Sequence, residues 1–172
     1  MAKLRPLALL SFILFASVCS ADHLPPELQA RGTPEKKLAG INLEHTRMST
    51  IVKMYGKPTE VKDDDYYWIK SRLRLHLVVY RGKEIRGGEY IGMIRVEGSR
   101  VTGVSGRTGL GLKLGDSLAD LKRIYGRRFK ERNIPKRGIH DVMVQWATEE
   151  YALVADLDPR GKIWALSLIS PE

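Results

Sequence analysis

From residue 73 the chain alternates: Leu73, Leu75, Leu77 and Val79 are apolar, and Arg74, His76, Val78 and Tyr80 fall between them. A period of two marks a half-buried strand. The same period runs through YYWI at 66–69 and the stretch from Tyr90 to Val96, and near the C-terminus through VMVQWAT, YALVADLD and KIWALSLI. Two stretches carry a helical period instead, INLEHTRMSTIVKMYG at 41–56 and LKLGDSLADLKRIYG at 112–126. Each holds a pair of alternating aliphatics (Ile41 and Leu43, Leu112 and Leu114), a polar cap, an amphipathic run and a closing Tyr-Gly. In the second, Asp116 or Ser117 is the expected cap, with Asp120 completing a capping box and Gly126 supplying the stop. Leu118, Leu121, Ile124 and Tyr125 share its apolar face. Thr46 takes the cap position in the first, ahead of Met48, Ile51, Val52 and Tyr55. Helices of about ten residues persist only when packed on something.

This repetition predicts an α+β fold: two helix-plus-three-strand-meander repeats forming one antiparallel sheet, with both helices on one face. Trp68 and Trp146 hold matching places before the middle strand of each meander and are expected to cover the helices. Unit one spans 39–98 and unit two 110–172, with a Gly-rich joint at 99–109. Two units moving independently on that joint are the alternative.

The termini and the charge add a compartment. Lys3 and Arg5 precede an uncharged apolar run from Leu7 to Val18, and Cys19-Ser20-Ala21 supplies small residues for a peptidase, so 1–21 reads as a secretory signal peptide. The run is too short to span a bilayer, which takes about twenty residues. Lipid attachment at Cys19 is the rival reading, and Val18 fits it poorly. Residues 22–38, with Pro25, Pro26 and Pro34 among charges, read as a flexible or loosely docked N-terminal arm. The whole chain has 29 basic and 20 acidic side chains, a net charge of +9; without Lys3 and Arg5 it is +7. Such a surplus favours anionic partners, and export argues against nucleic acid. Cys19 is the only cysteine, so no disulfide framework is expected.

The capped helix ending in Tyr-Gly, followed by a Trp-bearing meander, resembles the units of the BamE (SmpA/OmlA) lipoproteins and of the β-lactamase-inhibitor protein. Two copies in tandem look more like the inhibitor's layout. The resemblance rests mainly on GLKLGDSLADLKRIYG and implies binding or scaffolding in the cell envelope rather than catalysis. The weak acylation site departs from the first family, and the lack of a mature cysteine from the second.

Motifs for chemistry fail on spacing. Gly106 and Gly111 have the separation of a phosphate loop, but Leu112 intervenes before Lys113 and no Ser or Thr follows; Gly109, Gly111 and Gly115 miss the dinucleotide order. His23, His45, His76 and His140 form no helical pair for a metal, and Asp63-Asp64-Asp65 lacks the glycine and glutamate of a calcium loop. No catalytic, metal or cofactor-binding residue is therefore assigned. The candidate binding face is the polar side of the 73–80 strand: Arg74, His76 and Tyr80, with Lys70 and Arg72 entering from the turn before it. The expectation is an exported, non-enzymatic protein-binding or assembly-support module, periplasmic or extracellular, whose partner is an envelope or secreted protein with an acidic surface. Peripheral membrane contact stays open. An enzyme inhibitor is the closest alternative, and an enzyme acting on envelope polymers ranks third.

Overall fold

The computed structural model describes residues 29–70, 73–80, 90–98, 106–134, 138–146 and 151–170. The signal-peptide stretch 1–21 and residues 22–28 of the predicted arm lie outside them, as does most of the Gly-rich joint. In chain order the elements are β1 (Lys37–Leu38), β2 (Ile41–Asn42), α1 (Met48–Tyr55), β3 (Glu60–Lys62), β4 (Asp65–Lys70), β5 (Leu73–Tyr80) and β6 (Tyr90–Glu97). They continue with α2 (Leu118–Tyr125), β7 (Lys130–Ile134), β8 (Ile139–Gln145), β9 (Ala152–Leu157) and β10 (Ile163–Ile169). The fold is α+β: the described residues form two helices, a two-stranded β1-β2 sheet and an eight-stranded sheet in the order β3-β4-β5-β6-β10-β9-β8-β7. All its pairings are antiparallel.

The alternation read from the sequence sets the faces. Leu75 pairs with Val96, Val96 with Leu166, Leu166 with Ala155 and Ala155 with Val142, so one apolar row crosses five strands. This row, the parallel one through Leu77, Ile94, Leu168, Leu153 and Val144, and Ile51, Tyr55 and Leu121 of the helices belong to one buried cluster. Both tryptophans lie at helix ends, as their positions suggest. Trp68 is fully buried and its indole N–H donates to the Gly56 carbonyl at 2.8 Å. Trp146 meets Tyr125 edge to face, ring centres 5.9 Å apart.

Three expectations change. Each group has a further strand after its helix, β3 and β7, which makes meanders of four; both are short, polar edge strands whose sequences carry no apolar alternation. Residues 29–38 are docked rather than loose: the Ala30 N–H donates to Gln145 at 2.7 Å, and Glu35 and Leu38 are buried. The cap of α1 is Arg47, not Thr46, and its side chain makes no capping bond. Thr46 instead accepts from the Asn42 N–H at 2.8 Å, closing the turn before the helix.

The helices differ in how they begin and agree in how they end. Ser117 caps α2 through a full capping box, its side chain accepting from Asp120 N–H while Asp120 accepts from Ser117 N–H at 3.0 Å. Those bonds and Arg123 hold the Asp120 carboxyl well below the usual carboxylate range. Gly56 and Gly126 close their helices at φ 81° and 84°, a region costly for any side chain. Replacing Ser117 by Ala should cost about 1 kcal/mol, and Arg47→Ser, which gives α1 the cap it lacks, should add about 0.5–1 kcal/mol. Urea unfolding of both variants measures this.

Candidate functional site

The outer face of the sheet, opposite the buried cluster, is set by the same register. One row runs Ile69, Arg74, Glu97, Ala165, Asp156, Asp141, Arg132 across seven strands; the next runs Tyr67, His76, Arg95, Ser167, Val154, Met143 and Lys130. Charges of opposite sign therefore meet across strands. Arg95 is buried at 8% exposure, its guanidinium 2.8 Å from Asp156 and 3.4 Å from Glu97, and it donates to Ser167 Oγ at 2.9 Å. Arg74 approaches Glu97 at 3.7 Å from the other side, and Arg132 binds Asp141 through Nε at 3.0 Å and through its terminal nitrogen.

Burial pushes the Asp156 carboxyl up despite the pull of Arg95. Desolvation thus outweighs the attraction across a 2.8 Å contact, the usual balance for buried ion pairs. Trp164 sits at the bulge where β10 loses register with β9; it is 38% exposed and Arg95 lies over its ring at 5.5 Å. Exposed Ile69 adds a second apolar side chain to this face.

The sequence-predicted residues land as follows. Arg74 is exposed on the outer face, and His76 beside it is half-buried, stacked on Tyr67 with ring centres 4.4 Å apart and Nε2 2.5 Å from Asp65 Oδ1. Lys70 ends β4 opposite Leu73, one residue out of phase with the Ile69–Arg74 pair. Tyr80 ends β5 opposite Tyr90, beyond a bulge. Arg72 lies outside the described residues. Of the predicted cations whose side chains the structure describes, Arg74 and His76 each meet a carboxylate, as do Arg95 and Arg132 on the same face. Arg95, Glu97, Asp156 and Trp164 were missed. The alternation of Met93, Arg95 and Glu97 with Ile94 and Val96 carried a signal for two of them; the bulge hid Trp164.

No family model matches the chain, and no curated protein matches it. Among solved structures, a DUF4309 family protein (YjgB) from Bacillus subtilis is similar to it, 19% identical, with 77% of this chain and 83% of that chain covered and a TM-score of 0.45. A likeness at that score carries no argument about activity.

Among the described residues no group of three or more His, Cys, Asp or Glu is placed to hold a metal, and no helix is long and apolar enough to cross a membrane. The outer face presents a fixed guanidinium, a half-exposed indole and paired charges.

Two measurements test this account. Asp156→Leu alone leaves Arg95 with Ser167 and the more distant Glu97 and should destabilise by about 1–3 kcal/mol, whereas Arg95→Met with Asp156→Leu should be neutral or gain about 1–4 kcal/mol in urea unfolding. Burial lowers the His76 pKa, with Asp65 opposing it. The neutral ring is then favoured in the folded state, so stability present above the unfolded value of about 6.5 is lost as pH falls through the lower folded value. His76→Gln should remove that part of the acid slope.

Proposed function

We propose that the protein is an exported, non-enzymatic module of the cell envelope that binds another protein through the outer face of its sheet. The observation that carries this is the Arg95–Asp156 pair: a buried guanidinium fixed at 2.8 Å from a partly buried carboxylate and lying over the ring of exposed Trp164. Apolar residues would fill the position more cheaply, so its retention suits a surface that must present a guanidinium and an indole in fixed geometry. Trp and Arg are the side chains that most often dominate binding at protein interfaces. Pairing on this face changes the expected partner from a broadly acidic surface to one whose polar groups match a row of mixed charges, Arg74, Glu97, Asp156, Asp141 and Arg132.

The finer architecture belongs to the same reading: the two groups of elements are copies of one unit. Its support is a constant offset. The helices begin at Met48 and Leu118 and end at Tyr55 and Tyr125, each 70 positions apart. Val96 pairs with Leu166 and Leu38 bridges Thr108, again 70 apart, which is what a two-fold axis through both contacts requires.

A photo-crosslinking residue at Trp164 should capture a discrete envelope protein, and one at Ala119, exposed on α2, should not. Arg74→Ala together with Trp164→Ala should weaken binding of the captured partner at least tenfold, about 1.4 kcal/mol, while Arg74→Ala alone changes stability by about 0.5 kcal/mol or less. Unchanged binding by the double variant would remove the outer face from the interface. If the partner is a hydrolase silenced on binding, the inhibitor reading replaces the assembly one.

A further inference from the structure

Several exposed cations have no carboxylate partner among the described residues, and three of them lie together around one loop. Lys37, Arg107 and Lys113 are exposed, and among the described residues none of their side chains meets a carboxylate. The backbone gathers them. Leu38 bridges Thr108, which sets Lys37 beside the loop, and Arg107 bridges Lys113 directly. Lys37, Arg107, Leu110 and the backbone of Gly109 and Gly111 line an open pocket of about 340 Å³. This loop is on the helix side of the sheet, since Tyr125 of α2 reaches Thr108 Oγ1 at 2.7 Å and Tyr55 of α1 donates to the Ala39 carbonyl at 2.6 Å.

The loop is also held rigid. Buried Glu35 accepts the Leu110 N–H at 2.9 Å, Thr108 N–H donates to Leu112 at 2.8 Å, and Gly109 N–H donates to Lys37 at 2.8 Å. A Cβ on Gly109 would stand 2.8 Å from Glu35 Oε1, so only glycine fits there. These bonds all lie behind the tip, and Leu110 is left 60% exposed. One exposed leucine is ordinary on a protein surface. A leucine fixed at the apex of a rigid loop, among three unpaired cations, is different: it can enter the acyl boundary of a bilayer while the cations meet headgroup phosphates. A soluble polyanion would engage the cations and leave the leucine without a role. We infer that the Arg107–Lys113 loop, with Lys37, docks on an anionic phospholipid surface, leaving the outer sheet face turned away from the membrane.

The test uses the protein as its host exports it, with vesicles of pure phosphatidylcholine or of phosphatidylcholine with phosphatidylglycerol. Sedimentation should show binding to the anionic vesicles alone, falling as salt rises. Arg107→Gln and Lys113→Gln should each cost about fivefold, and Leu110→Ser about fivefold from lost apolar burial. Lys130→Gln, on the other face, should leave vesicle binding unchanged. Because Leu110 is solvent-exposed, its variants fold, and Leu110→Trp should show a blue-shifted emission on anionic vesicles only. Equal binding to both vesicle types overturns the inference. So does unchanged binding by Leu110→Ser, or release by millimolar inorganic phosphate at constant ionic strength, either of which would make the loop a seat for a free anion. None of these outcomes touches the crosslinking result at Trp164, so the two proposals fail separately.

Discussion

Five registered pairs join β6 to β10, from Met93–Ile169 to Glu97–Ala165, and because side chains alternate strictly along a strand, this register assigns a face to the residues on either side of it. A slip of one residue would turn Val96 and Ile94 outward and carry Arg95 into the apolar cluster, where a guanidinium has no compensating partner. The pairing thus does two things at once. It makes two four-stranded groups into a single sheet with one buried face, and it brings Arg95 of the first group within reach of Asp156 and Ser167 of the second.

On the other side of the sheet the helix-closing tyrosines play a comparable part. Tyr55 and Tyr125 end their helices at matching positions and send their hydroxyls to neighbouring strands of one small crossing, Tyr55 to Ala39 and Tyr125 to Thr108 and Glu35. Burial and the adjacent Glu35 carboxylate drive the Tyr125 hydroxyl far above the ordinary phenol range, so it stays protonated and available as a donor. Ala39 accepts a left-handed backbone, φ 55°, at the turn that meets Tyr55. A strained turn of this kind persists because its N–H and carbonyl are both bonded, to Arg107 and to Tyr55.

How far the sequence was legible follows from what periodicity can carry. The six inner strands and both helices were readable because each buries one face, and burial writes a period of two or near four into the residues. EVK and KERNI were not, because an edge strand exposed on both sides needs no apolar alternation. The docked arm escaped for another reason: Glu35 is charged and Pro34 breaks periodicity, yet three donors, from Lys37, Leu110 and Tyr125, satisfy the carboxylate. Arg74 and His76 were found by alternation, but alternation cannot say which residues on the next strand they meet. Only the register does.

Net charge shows the same gap between composition and placement. A surplus of +7 suggested a cationic strand face, because Arg74 and His76 stood out against their apolar neighbours. Cross-strand pairing neutralises that face, since the strands that flank β5 bring Asp65 and Glu97 to those residues. Three cations without a carboxylate partner among the described residues, Lys37, Arg107 and Lys113, gather instead at the loop on the helix side. Register sets Arg74 opposite Glu97 and Arg132 opposite Asp141, and equally sets Asp141 opposite Asp156; a loop carries no such constraint.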